Sequence, residues 1–143
     1  MPQSYLDAVC REDQNVNRLF CHLHIHVTGV KKGVAELAMP VGEHLLQGGG
    51  LVAGGILATL ADEAMAHAVM SLLQPGEKCV TAEMNIRYLK SAGTATTETL
   101  RARAIVLKRG SRMVVCKAEV FDDRNSLLAD SGSTFFVLAP GHK

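Results

Sequence analysis

The chain has 143 residues, enough for one domain with one sizeable core. Apolar residues make up 48% and charged residues 20%, a globular profile that excludes general disorder. Fifteen Lys plus Arg against 14 Asp plus Glu leave a formal charge of +1, which gives no global pull toward nucleic acid or an anionic membrane. With no Trp, two Tyr and four Phe, the chain also lacks stacking platforms for bases. No apolar stretch reaches transmembrane length, and the opening MPQSYLDAVCRED lacks the basic-then-apolar order of a signal peptide. Cys10, Cys21, Cys79 and Cys116 show no CxxC spacing, so reduced thiols in a cytoplasm are the expectation.

The elements follow in chain order. Residues 1–20 hold a short leading helical segment. His22 to Val27 alternates, with Leu23, Ile25 and Val27 on one face of a strand and His22, His24 and His26 on the other. VTGVKKG reads as a hairpin turn into a second strand, Gly33 to Met39. VGEHLLQGGGLVAGG is a glycine-rich loop that bends tightly or approaches something closely. Gly54 to Leu73 is the one long helical pattern, with Leu57, Leu60, Ala61, Ala64, Ala68 and Leu72 in a single stripe. Thr59, Asp62, Glu63, His67 and Ser71 occupy the other side, and QPGEK ends the helix. Four strands close the chain: Val80 to Tyr88, Leu100 to Leu107, Met113 to Phe121 and Leu127 to Leu138. The order is β-β-α-β-β-β-β, an α+β domain with an antiparallel meander after its helix.

Four segments have the residue types of a site, each against a plainer reading. Gly54 and Gly55 at a helix start present backbone donors to an oxyanion, or serve only a turn. Asp62 is a nucleophile or general base opposite those donors, or one acid on a solvated face where Glu63 pairs with His67 at i, i+4. His22, His24 and His26 share a face but have no acidic or Cys ligand at a suggestive spacing, so no metal is expected. Thr99 to Ala118 carries six cations and one acid-free window; Lys108, Arg109 and Arg112 flank its KRGS turn, either to receive phosphates or to guard a strand edge.

HLLQGGGLVAGGILATLADEA, VTAEMNIRYLKSAG, VLKRGSRMVVCKAEVFDD and LLADSGSTFFVL, taken in this order, resemble the hotdog-fold acyl-CoA thioesterases of the phenylacetate-degradation (PaaI) type, including the human superfamily member-2 thioesterases. The resemblance covers nearly the whole chain. It implies a hotdog fold in which one long helix is wrapped by an antiparallel sheet of five or six strands. It further implies a homodimer or homotetramer with sites at the subunit interface, and hydrolysis of an acyl-CoA with no cofactor beyond the coenzyme A of the substrate.

By the same resemblance the Gly54 N–H holds the thioester oxygen, with Ala53 and Gly55 beside the substrate. Asp62 from the other subunit attacks the carbonyl or activates water, and Gln47 and Thr81 orient that water or the carboxylate. Lys90, Lys108, Arg109 and Arg112 receive the CoA phosphates. Ala53 stands where the family usually has His, and that departure keeps a second reading open: a non-catalytic acyl-CoA or small-ligand binding protein on the same fold.

Overall fold

A computed structural model describes residues 2–141. Two short helices, α1 (Pro2–Val9) and α2 (Arg18–Leu23), lead into strands β1 (His26–Lys31) and β2 (Val34–Pro40). A single 3-10 turn, Glu43–Leu45, precedes helix α3 (Gly54–Met70). Strands β3 (Lys78–Tyr88), β4 (Thr99–Arg109), β5 (Met113–Phe121) and β6 (Leu127–Leu138) follow. All six strands form one antiparallel sheet in the order β1-β2-β4-β5-β6-β3.

The core lies between α3 and the inner face of this sheet. Leu57, Leu60, Ala61, Ala64 and Ala68 are buried against Leu37, Met39, Leu100, Ala102, Val114, Ala118 and Val120. The alternation along each strand sends these residues inward and leaves Arg101, Arg103, Lys117 and Met113 outside. Alanines on the helix let the backbone approach the sheet closely. The expected stripe is therefore real, but the buried surface extends beyond it: Met65, His67 and Val69 are buried too. The cause is α1 and α2, which close over the helix from the side away from the sheet with Leu6, Val9 and Phe20.

Several expectations need correction. The leading segment is two helices, and the second takes up residues assigned to a strand. His22 lies in α2, His24 caps it with a left-handed φ of 56°, and only His26 is in a strand. The three histidines share no face, because the Asn17 side chain accepts the Phe20 N–H at 3.1 Å and starts a helix where alternation predicted extension. The segment VTGV extends β1, and the reversal is confined to Lys32 and Gly33, with φ 77° at Gly33. Helix α3 stops at Met70 rather than Leu73, as Ser71 turns its hydroxyl onto the Ala68 carbonyl and the Gly33 N–H.

The last four strands are not a simple meander. Residues 89–98 carry the chain across the sheet, so β3 pairs with β6 at one edge while β4 pairs with β2 and β5. That connection is long enough to free β3 from the strand after it. It leaves an 11-residue strand with one side unpaired.

Asn17 does two jobs at the α1–α2 junction: it caps α2, and its Nδ2 donates to the Tyr5 hydroxyl at 2.9 Å. Asn17→Ala should lower unfolding stability by about 1–2 kcal/mol, measured by urea denaturation, since a lost N-cap alone costs about 1 kcal/mol.

Candidate active site

The loop before α3 is held tight by its own backbone. Leu46 and Val52 pair across it, the Gln47 N–H donates to the Leu51 carbonyl at 2.8 Å, and the Gly50 N–H donates to the Gln47 carbonyl at 2.9 Å. Gly50 takes a φ of 82°, which requires glycine there. Ala53 then caps the helix with its carbonyl, which accepts the Ile56 and Leu57 N–H groups, and it has no capping side chain. The Gly54 and Gly55 N–H groups have no partner among the described residues. They sit at the positive end of a 17-residue helix.

An open cleft of about 320 Å³ begins at this point, lined by Gln47, Val52, Gly54, Leu57, Tyr88 and Lys90 among others. Gln47 lines it with its side chain folded back so that Oε1 accepts the Gly49 N–H. A second cavity of about 430 Å³ shares Leu51, Lys90 and Ser91 with the first and reaches Asp122 and Arg124. Lys90 is tied to its rim by the Ser126 hydroxyl at 3.1 Å and the Asp122 carboxylate at 3.7 Å.

Asp62 lies two turns further along α3, half-buried, and the Thr81 hydroxyl donates to its Oδ1 at 2.9 Å. The structure thus joins Thr81 to Asp62 and gathers Gln47, Gly54 and Lys90 around the cleft. It does not join the two groups. Eight residues separate Gly54 from Asp62 on one helix, about 12 Å along its axis.

Lys108, Arg109 and Arg112 form no part of either cavity. Arg112 lies beside Val137, whereas Lys90 lies beside Leu128, so the two ends are roughly 30 Å apart along β6. Arg109 is also committed elsewhere. Its guanidinium pairs with Glu77 at 3.1 Å and holds the Gly110 and Ser111 carbonyls of its own turn, which makes it a brace for the β4–β5 hairpin. Within one chain, Lys90 is the cation of the expected set that stands at the glycine loop.

The neighbours of Asp62 differ from a solvated face. His67 is fully buried, not part of an open polar strip; its ring stacks on Phe20 with centroids 5.0 Å apart. Its Nδ1 lies 2.7 Å from the Glu63 carbonyl, which only accepts, so that nitrogen carries the proton. Nε2 then accepts from the Tyr5 hydroxyl at 3.1 Å. Burial holds His67 below the usual histidine range, so the ring stays neutral. Glu63 turns toward this cluster, 3.9 Å from His67 Nδ1, and its carboxyl is pushed up to about 7, by burial first and by the Asp62 charge second. Burial also pushes the Cys79 thiol up to about 11, which keeps it from acting as a nucleophile here.

Sequence reasoning missed Tyr88. Its hydroxyl donates to the Gly54 carbonyl at 2.8 Å from the last position of β3. The readable signal was its place on the same strand face as Met84 and Ile86, which pack on the core. The Tyr5–His67 contact spans 62 positions and left no local pattern.

A six-stranded antiparallel sheet around one helix, with bare backbone donors at the helix start and a hydrogen-bonded carboxylate further along, defines a hotdog-type hydrolase. The thioesterase superfamily model matches residues 49–129, and the chain belongs to that family. The "Putative esterase SSO1253" of Saccharolobus solfataricus is 30% identical over 121 residues, 83% of this chain and 77% of that protein. A conserved protein of Pseudomonas aeruginosa, PA5202, superposes with a TM-score of 0.79 at 30% identity, covering 86% of this chain and 95% of that one. The PaaI protein from the phenylacetic acid degradation operon of E. coli superposes with a TM-score of 0.80 at 25% identity, over 87% of each chain.

Glu63 carries a pH signature. Its folded pKa of about 7 lies above the ordinary 4.5, so the fold favours the protonated form. Its contribution to stability is full below pH 4.5 and is lost as pH rises to about 7. Glu63→Gln keeps the shape of the protonated acid. It should match the parent near pH 4.5 and exceed it by about 3 kcal/mol at pH 8 in paired urea titrations.

Proposed function

We propose that this protein hydrolyses an acyl-CoA thioester to the free acid and CoA, at a site completed by a second subunit. One observation carries the reading: the free Gly54 donor and the Thr81-held Asp62 lie about 12 Å apart on the same helix, too far to act on one carbonyl carbon within a chain. A twofold partner removes the difficulty, because it sets Asp62 of the partner subunit opposite the Gly54 of the first.

The edge of β3 supports that partner. It is 11 residues long and unpaired on one side, with Val80 46% and Tyr88 52% exposed. An uncovered strand of this length favours pairing with another copy of itself. Antiparallel pairing there continues the sheet across the dimer and brings the Thr81 end of one strand toward the Tyr88 end of the other. A further pairing of such dimers gives the tetramer that the sequence resemblance implies.

The chemistry follows from these positions. The Gly54 N–H, at the positive helix end, polarises the thioester carbonyl and holds the oxygen as it takes on charge. Asp62 of the partner subunit attacks the carbonyl carbon or takes a proton from the water that does. In the first route an anhydride forms between the acyl group and Asp62, and water then hydrolyses it; in the second the water oxygen adds directly. In both the C–S bond breaks, CoA leaves as thiolate, the acid is released, and the proton given up by the water passes to the thiolate. Thr81 aims the Asp62 carboxylate by its hydrogen bond. Gln47 borders the reacting carbonyl from the loop. The apolar cleft wall of Leu51, Val52, Leu57 and Leu89 suits an aryl or short acyl group. Binding an acyl group on that wall needs no carboxylate nearby, so Asp62 favours the enzyme over a simple acyl-CoA carrier.

Three measurements test the reading. Asp62→Asn should lower free-thiol release from acyl-CoA at least 100-fold, while Glu63→Gln retains turnover at pH 7; a dead Glu63→Gln would place the carboxylate one residue away. Mixing inactive Gly54→Ala chains with inactive Asp62→Asn chains should restore about a quarter of the parent activity, since half the dimers are mixed and each has one intact site. Chains carrying both changes should restore nothing, and no rescue in the mixture would refute the shared site. Finally, Lys90→Gln should raise KM for acyl-CoA several-fold, whereas Arg109→Gln should lower stability through its lost Glu77 pair.

A further inference from the structure

We infer that Tyr88 is a positioning residue for the donors at the helix start: its ring and hydroxyl hold Gly54, which lines the cleft, and the Gly54–Gly55 peptide, which carries the Gly55 N–H. The inference rests on the thioester reading above and adds a residue to it.

Two contacts make the clamp. The Tyr88 hydroxyl donates to the Gly54 carbonyl at 2.8 Å, which fixes the plane of the Gly54–Gly55 peptide. The ring lies against Gly54 itself, since a Cβ built there would meet Tyr88 Cζ at 3.1 Å, Oη at 3.2 Å and Cε1 at 3.3 Å. Gly54 is helical and needs no positive φ, so what favours glycine there is the crowding ring rather than backbone conformation. Gly55 shows the contrast. A Cβ at that position meets nothing within 4 Å, so the ring crowds Gly54 and not its neighbour.

A first helical turn otherwise frays easily. Its N–H groups have no partner inside the helix, and Ala53 provides no side-chain cap. Frayed donors lose the preorganisation that makes them useful against a developing charge. The Tyr88 bond opposes fraying from the other side of the same peptide. A carbonyl that accepts a hydrogen bond also polarises the N–H across its peptide, so the Gly55 donor is strengthened as well as aimed. The strand makes this possible: β3 is anchored along its length to β6, from Lys78–Leu138 to Tyr88–Ala129, so its last residue reaches the helix start from a rigid base.

Tyr88→Phe keeps the ring and removes the bond. It should lower kcat roughly tenfold with KM within about twofold of the parent, lower Tm by no more than about 4 °C and leave the oligomeric state unchanged. Tyr88→Ala should also make position 54 tolerant: Gly54→Ala should cost several-fold less kcat in that background than in the parent, because the colliding ring is gone. A parent-like kcat for Tyr88→Phe, or additive costs in the double variant, would overturn the clamp. A parent enzyme that releases no thiol from any acyl-CoA would instead overturn the functional reading. The clamp is then decided by the amide nitrogen shift of Gly55, which senses the hydrogen bond on the carbonyl it is bonded to. Tyr88→Phe should move that resonance while distant glycines stay in place, and an unmoved Gly55 would refute the bond in solution.

Discussion

The arrangement of the molecule depends on the enclosure of α3. A sheet buries one side of the helix, α1 and α2 cover the other, and eight of its 17 residues are buried. Two places remain where α3 presents polar chemistry outward: its first turn at Gly54 and the Asp62 position. Both are braced by β3, through Tyr88 at one end and Thr81 toward the other. One edge strand therefore sets the orientation of the donor and of the carboxylate together. Because helix and strand are each rigid, neither group can move toward the other. The separation of Gly54 from Asp62 is thus built into the core itself.

The same enclosure explains why Asp62 and Glu63 behave differently. Adjacent helical positions point about 100° apart, so one acid meets Thr81 at the sheet edge and the other turns toward His67. Asp62 accepts a hydrogen bond from Thr81, whereas Glu63 is held in a place that disfavours charge. A neutral Glu63 removes a like charge from beside Asp62.

Most of the fold was legible because its strands alternate cleanly and its helix is long. The bounds of β5 and β6 match their alternating runs, and α3 starts at the glycine pair as its stripe predicts. Local pattern failed where tertiary contacts decided. Alternation at His22–Val27 imitated a strand, but Asn17 capped a helix there and Phe20 was needed over His67. His67 looked solvated on a helical projection, since nothing in sequence says that α1 returns to cover that side. The order of the strands was also invisible: β3 reads like the start of a meander, and only the ten-residue 89–98 connection permits its place beside β6. At the site, Asp62, Thr81 and Gly54 carry a motif. Tyr88 and the commitment of Arg109 to Glu77 are matters of packing and pairing, which no spacing records.

Ala53, where the resembling family usually has His, has a physical logic of its own. A Ser, Asp or Asn at this N-cap would place an oxygen on the Gly55 or Ile56 N–H. A carboxylate there would also offset the positive helix end. Alanine contributes only its carbonyl, which satisfies Ile56 and Leu57 and leaves Gly54 and Gly55 free. The helix forgoes about 1 kcal/mol of capping as a result. It can do so because α3 is held by packing on nearly all sides, and because Tyr88 secures the uncapped turn through its carbonyl rather than its N–H groups. The start of the helix is thus stabilised from the one direction that does not block the donors.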